Sequence, residues 1–278
     1  MYLRTLESPG PGLGQPSPAL QPLSLMFRSK SIPAYKDQSG NNQSTDCSVY
    51  VPGSLRNKKE IDVLVFFHGD DSCSPRHSFN PYKVVKNFRL DAQVDQGQRE
   101  VVLAVPVVYW KAGTSNNITG IWSAARLNAF VEEVLDQIGT CGVRPGLRRL
   151  ILAGHSHAHA ILTPLAREFD AAVADTTRGA LAKLAEVWDM DTTFRTHAQA
   201  LVKWARKLET DKNKPVRFTV VLAKEGDPPK IWKDTIEKRN VKLPQNLRVC
   251  KTNGKHCDLP AEFVADLLSV VPCWVGAR

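Results

Sequence analysis

The chain is short of the features that would commit it to most classes of protein. No apolar run approaches the ~18 residues that cross a bilayer, so a transmembrane helix is not expected. The six cysteines, Cys47, Cys73, Cys141, Cys250, Cys257 and Cys273, are widely spaced and form no C-x-x-C pair. That spacing argues against a zinc ribbon or a thioredoxin-like motif. A chain of 278 residues can bury a core without covalent staples, so free thiols are expected. No internal repeat is present, which excludes a solenoid. The opening residues hold no basic stretch followed by an apolar core and a small-residue cleavage site, and cytoplasmic residence is the default expectation.

Acidic residues are outnumbered, 28 against 37 basic ones, for a net charge of +9. A field of that sign draws polyanions. The basic residues are scattered, however, with their densest pieces at Arg56-Asn57-Lys58-Lys59 and over 144–149, 203–207 and 230–239. A solvated surface with a weak attraction to anionic surfaces is expected, and no specific nucleic-acid site.

What is present is a lead-in followed by one α/β pattern. Residues 1–45 are rich in Pro, Gly, Ser and Gln, as in Ser8-Pro9-Gly10-Pro11-Gly12, and bury too little apolar surface to offset their ordering entropy. Within them, 23–27 is a candidate first edge strand. From 46 to 278 a single domain is expected. Continuous apolar runs at 61–67, 101–108, 148–153 and 216–223 read as strands buried on both faces, and 47–52, 185–191 and 247–251 as further strands. Helix spacing runs over 82–90, 123–138, 196–208 and 260–271, the second starting on Ser123 as N-cap and stopping at Gly139. Strands alternating with helices imply a three-layer sandwich, a mostly parallel central sheet with helices on both faces.

The chemistry gathers where that sheet would bind ligands, at the carboxyl ends of its strands. His68, Ser156, Asp189, Asp227 and His256 all fall there. The segment Gly154-His155-Ser156-His157-Ala158 sits between a strand and a helix and matches the G-x-S-x-G nucleophile elbow, with Ala in place of the second Gly. Small flanking residues are required because a turn that sharp brings them against adjacent backbone. The helix beyond it carries Pro164, which removes one backbone hydrogen bond. A serine hydroxyl needs a histidine to take its proton, and the histidine a carboxylate to hold its tautomer. Downstream lie acids and then His256.

These motifs resemble the α/β-hydrolase superfamily over about residues 46 to 275, most closely its serine esterase and lipase-like members. The resemblance rests on Phe67-His68-Gly69, the elbow at Ser156, the loop Glu225-Gly226-Asp227-Pro228, and Gly254-Lys255-His256 followed by Pro260, Phe263 and Leu267-Leu268. It implies that Ser156 attacks a carbonyl carbon to form an acyl-enzyme, with His256 as general base and then acid. Backbone N–H groups of His157 and Asp70 would form the oxyanion hole. Asp227, after the predicted seventh strand, is the expected triad acid, with Asp189, Asp191 and Glu225 as alternatives. The implied reaction is cleavage of a carboxylic ester or related acyl bond of a small-molecule or lipid-like substrate, with no cofactor. Which acyl group is cleaved, and whether water accepts it, lies beyond the fold.

Two other readings compete. The alternation His155-Ser156-His157-Ala158-His159 could present imidazoles to a metal, although the Asp-His pair that extends such motifs is missing and the turn would splay the rings. A catalytically silent scaffold used for binding is the third. His68 reads as a loop-orienting residue, and Trp110, Trp122, Trp188 and Trp232 as core.

Overall fold

The computed structural model describes residues 20–32, 45–69, 73, 80–107, 122–192, 196–209, 216–238 and 241–269. Eight strands form one sheet in the order β1-β2-β4-β3-β5-β6-β7-β8. They are β1 (Leu23–Arg28), β2 (Asp46–Val51), β3 (Glu60–Phe67), β4 (Val102–Pro106), β5 (Gly146–His155), β6 (Leu184–Met190), β7 (Arg217–Leu222) and β8 (Leu247–Lys251). β1 and β2 run antiparallel to their neighbours, and β3 to β8 are mutually parallel. This is the mostly parallel sheet expected from the apolar runs.

The runs are continuous because both faces are covered. Successive side chains of a strand point to opposite faces. Thus Val63, Val65 and Phe67 of β3 pack on one layer of helices while Leu64 and Phe66 pack on the other. The first layer holds α3 (Ala124–Gly139), α4 (His159–Asp170) and α5 (His197–Glu209). The second holds α1 (Pro81–Asn87), α2 (Leu90–Gln96) and α7 (Leu259–Leu267). A further short helix, α6 (Asp227–Lys233), follows β7 and buries Trp232 against the first layer. Each fully buried Leu or Phe in these layers contributes roughly 1.5–3 kcal/mol of transfer free energy. Phe67, Trp122 and Phe130 meet edge to face, which fixes the start of α3 over β3.

Local signals explain most boundaries. Ser123 caps α3 by accepting a hydrogen bond from the Arg126 N–H at 3.3 Å. The expected helix over 82–90 is instead two, because Arg89 adopts a left-handed φ of 52° and turns the chain between α1 and α2. α4 continues through Pro164 to Asp170. β1 joins the sheet from within the lead-in, and Glu133 of α3 accepts hydrogen bonds from Ser29, Lys30 and Ser31 just after it. Trp122, Trp188 and Trp232 are buried, whereas Trp110 lies outside the described residues.

One of the dense basic stretches, 144–149, is largely neutralised within the fold. Arg144 pairs with Glu132 and Asp136, and Arg148 and Arg149 both grip the buried Asp62. Burial pushes the Asp62 carboxyl up, but the two guanidiniums outweigh it and hold it below the usual carboxylate value. Among the described residues no helix is long and apolar enough to cross a membrane.

The expectation of free thiols fails at one pair. Cys73 and Cys257, 184 residues apart, form a disulfide with their Cα atoms 4.9 Å from each other. The fold brings Cys73, which follows β3, against Cys257, which follows β8, a proximity that spacing along the chain does not encode. Cys47, Cys141 and Cys250 are free.

Candidate active site

The register aligns the carboxyl ends of the central strands, with Phe67 beside Gly154 and Gly154 beside Asp189. β5 ends at His155, and the next residue, Ser156, has a φ of 57°. A left-handed φ is costly for a residue with a Cβ and persists only where its surroundings enforce it. Ser156 is enforced by crowding on both flanks. A Cβ on Gly154 would lie 2.8 Å from Leu162 Cδ1 and 3.0 Å from the Ala158 Cβ. One on Gly69 would lie 2.5 Å from the Ser156 Cβ. The glycine at 154 and the small residue at 158 are therefore steric requirements of this turn, as the elbow pattern implies.

Ser156 Oγ lies 2.8 Å from His256 Nε2, and His256 Nδ1 lies 2.6 Å from Asp191 Oδ2. With Nδ1–H donating to the carboxylate, Nε2 is left to accept the serine proton. Asp191 follows β6 directly, has a φ of 55° and is 1% exposed. Its N–H donates to the Val221 carbonyl at 2.8 Å, and its Oδ1 accepts from the Ala223 N–H at 3.2 Å. An acid from the end of β6 is thus braced on the end of β7.

Asp227, the expected acid, is elsewhere. It opens α6, its side chain is 76% exposed, and it lies 3.9 Å from Lys230. The physical reason is the turn after β7, which carries Glu225 and Asp227 out to solvent, both exposed. Asp189, another of the alternatives, is fully buried. Its Oδ1 accepts from the Thr192 N–H at 2.8 Å, and its Oδ2 lies 3.2 Å from His197 Nε2. His197 Nδ1 in turn meets Thr163 Oγ1 at 2.7 Å.

Two residues near the centre have parts that sequence reasoning missed. His155 Nε2 donates to the backbone carbonyl of His256 at 2.9 Å, with its ring between Phe88 and His256. His197 supports Asp189 from α5; the signal available was a carboxylate inside an apolar strand, which demands a buried partner. His68 donates from Nδ1 to the Gly69 carbonyl at 2.7 Å, consistent with a loop-orienting part. His157 is the middle residue of the 3-10 turn Ser156–Ala158 that leads into α4. Asp70 lies outside the described residues.

The alternating histidines do not converge on one point. His155 contacts Phe88 and His256, whereas the tilted rings of His157 and His159 lie 5.6 Å apart and His159 meets His197. Burial, and then the neighbouring His197 and His157, lower the pKa of His159 to about 4, so its imidazole is neutral at neutral pH. Among the described residues the donors Cys73, His155 and His256 lie within 4.8 Å of one another. In this structure Cys73 is committed to its disulfide and His256 to Asp191 and Ser156.

Comparison with solved structures identifies the fold. A ferulic acid esterase aligns over 90% of this chain and 96% of its own, at 15% identity and a TM-score of 0.54. The feruloyl esterase module of Clostridium thermocellum, an S954A mutant complexed with sinapinate, aligns over 91% of this chain and 89% of its own, at 12% identity and a TM-score of 0.55. The chain has the α/β-hydrolase fold, as its motifs imply. No family model matches it, and no curated protein matches it.

Proposed function

We propose that the protein is a serine hydrolase of carboxylic esters, acting through an acyl-enzyme on Ser156. The observation that carries this reading is the unbroken chain from Ser156 Oγ through His256 to Asp191 Oδ2, with Ser156 on a strained turn. Ser156 Oγ attacks the substrate carbonyl while His256 Nε2 takes its proton. Asp191 stabilises the imidazolium that forms and holds the tautomer. The His157 N–H, directly after the nucleophile, is the first oxyanion donor, and the second is assigned to the backbone N–H of Asp70. The imidazolium then protonates the leaving alkoxide. In the second half His256 draws a proton from water, which attacks the acyl carbonyl and returns Ser156 as a free hydroxyl.

Asp191 replaces Asp227 as the assigned triad acid. The geometry supporting this is direct contact with His256 and near-complete burial, which removes competition from solvent. The substrate proposed is a small carboxylic ester. The fold neighbours named as feruloyl esterases make phenolic-acid esters the first panel to try, beside p-nitrophenyl esters of graded chain length.

The test is labelling with a fluorophosphonate together with turnover of that panel. Native protein should label once, at Ser156, and hydrolyse at least one ester. Ser156→Ala should do neither. Turnover that survives Ser156→Ala, or that is abolished by a strong chelator, would overturn the assignment.

A further inference from the structure

We propose that Cys73 and Cys257 are positioning residues for this centre: their disulfide latches the turn carrying His256 to Cys73, four residues after Gly69, and a dithiol reductant unlatches it. The inference rests on the reading of His256 as the catalytic base.

The argument begins with what holds His256. It opens a three-residue 3-10 turn, His256–Asp258, none of whose residues is buried. The turn therefore has no side chain anchored in the core. Its own side chains and backbone are held by the His256 contacts to Asp191 and Ser156, the His155 bond to the His256 carbonyl and the covalent bond from Cys257, and the buried Leu259 anchors the chain directly after it. Cys73, at the other end of that bond, lies four residues after Gly69, whose backbone abuts Ser156.

Sheet topology makes the link matter. β3 delivers Gly69 and β8 delivers His256, yet β5, β6 and β7 lie between them in the sheet. β3 and β8 share no ladder directly, so the sheet relates the segments that follow them only through three intervening strands. The disulfide spans that gap directly. A displacement of reacting groups by about 1 Å can cost roughly a hundredfold in rate. The turn it restrains carries the group that must transfer a proton in both halves of the reaction.

Both cysteines are half-buried, which leaves the bond within reach of a small reductant. A dithiol thiolate attacks one sulfur of the pair, forming a mixed disulfide and releasing the other cysteine as a thiolate that takes a proton. The second thiol of the reductant then displaces the first cysteine. Cys73 and Cys257 end as thiols, and the reductant ends as a cyclic disulfide, having supplied two electrons.

The test uses the full chain and dithiothreitol. Peptide mapping of native protein should find Cys73 joined to Cys257; finding both as free thiols overturns the proposal. Reduction should lower kcat roughly tenfold to a hundredfold with KM within about twofold, and slow fluorophosphonate labelling of Ser156 in parallel. Re-oxidation should restore both rates. Cys73→Ser and Cys257→Ser should each reproduce the reduced enzyme and be indifferent to dithiothreitol, while Cys141→Ser behaves as native. Should the serine variants fail to fold, reduced native protein checked by circular dichroism carries the measurement. A reduced enzyme that melts earlier but keeps its kcat and labelling rate shows a merely structural bond and sinks the proposal. Oxidised protein that never labels at Ser156 removes the serine-hydrolase reading, and the positioning role with it.

Discussion

Two Asp–His pairs lie within two residues of each other at the end of β6, and they differ in everything except composition. Asp191 holds His256, whose other nitrogen meets Ser156 Oγ at 2.8 Å. Asp189 holds His197, whose other nitrogen meets Thr163 Oγ1 at 2.7 Å. Each is a carboxylate, an imidazole and a hydroxyl in line. The first has a histidine 28% exposed and a serine forced into the left-handed region. The second is shut in the core, the Asp189 and His197 side chains both at 0% exposure, with its hydroxyl inside α4. A hydrogen-bonded triad is therefore not in itself a catalytic centre. Under the proposed function, access for a carbonyl carbon and backbone N–H groups aimed at the developing charge are what would separate the two.

That contrast yields predictions of decreasing size. Ser156→Ala should remove about four to six orders of magnitude of kcat toward any ester the protein turns over, whereas Thr163→Ala should leave the fluorophosphonate labelling of Ser156 in place. Next, Asp191→Asn should lower kcat by about 10⁴, because the amide favours the wrong tautomer of His256. Asp227→Asn should change it by less than about twofold, and steady-state kinetics on the pair of variants decides between them.

The buried pair should be read out in stability instead. His197→Ala leaves Asp189 with one partner fewer in the core and should cost roughly 2–4 kcal/mol in urea unfolding. Thr163→Val, which removes the hydroxyl alone, should cost about 1 kcal/mol. Finally, His159 gives a pH signature. Its pKa in the fold, about 4, lies below the unfolded value, so the unfolded chain binds the proton first. Stability should be complete near pH 7 and fall as the pH drops from about 6.5 toward 4, by on the order of 2 kcal/mol from this residue. Unfolding at pH 7 and pH 4.5 in native protein and His159→Gln isolates that share; equal losses in the two would refute it.

The parts of the molecule that could be read from the chain were those set by periodicity and local sterics. β3, β5 and β7 declare themselves as apolar runs, α3 by its stripe and its Ser123 cap, and the elbow by the small residues that its crowding demands. Ser156 and His256 were legible on the same terms, since parallel strands put both at the carboxyl end of the sheet. Asp191 was not, because its choice over Asp227 depends on a left-handed turn after β6 and on bracing by the end of β7, neither of which leaves a pattern in the residues. The break at Arg89 and the Cys73–Cys257 bond were hidden for the same reason. Each depends on where the chain goes next in space.

The contact between Gly69 and Ser156 also bears on redesign of the pocket. With only 2.5 Å between a would-be Cβ at 69 and the serine Cβ, the first position after His68 admits no substitution without displacing the nucleophile. Loops grafted from other proteins of the α/β-hydrolase fold must keep His68-Gly69 as their splice point and vary from residue 70 onward. Any graft that also omits Cys73 removes the tether to Cys257, so loop exchange and disulfide loss would have to be separated by a matched Cys257→Ser control.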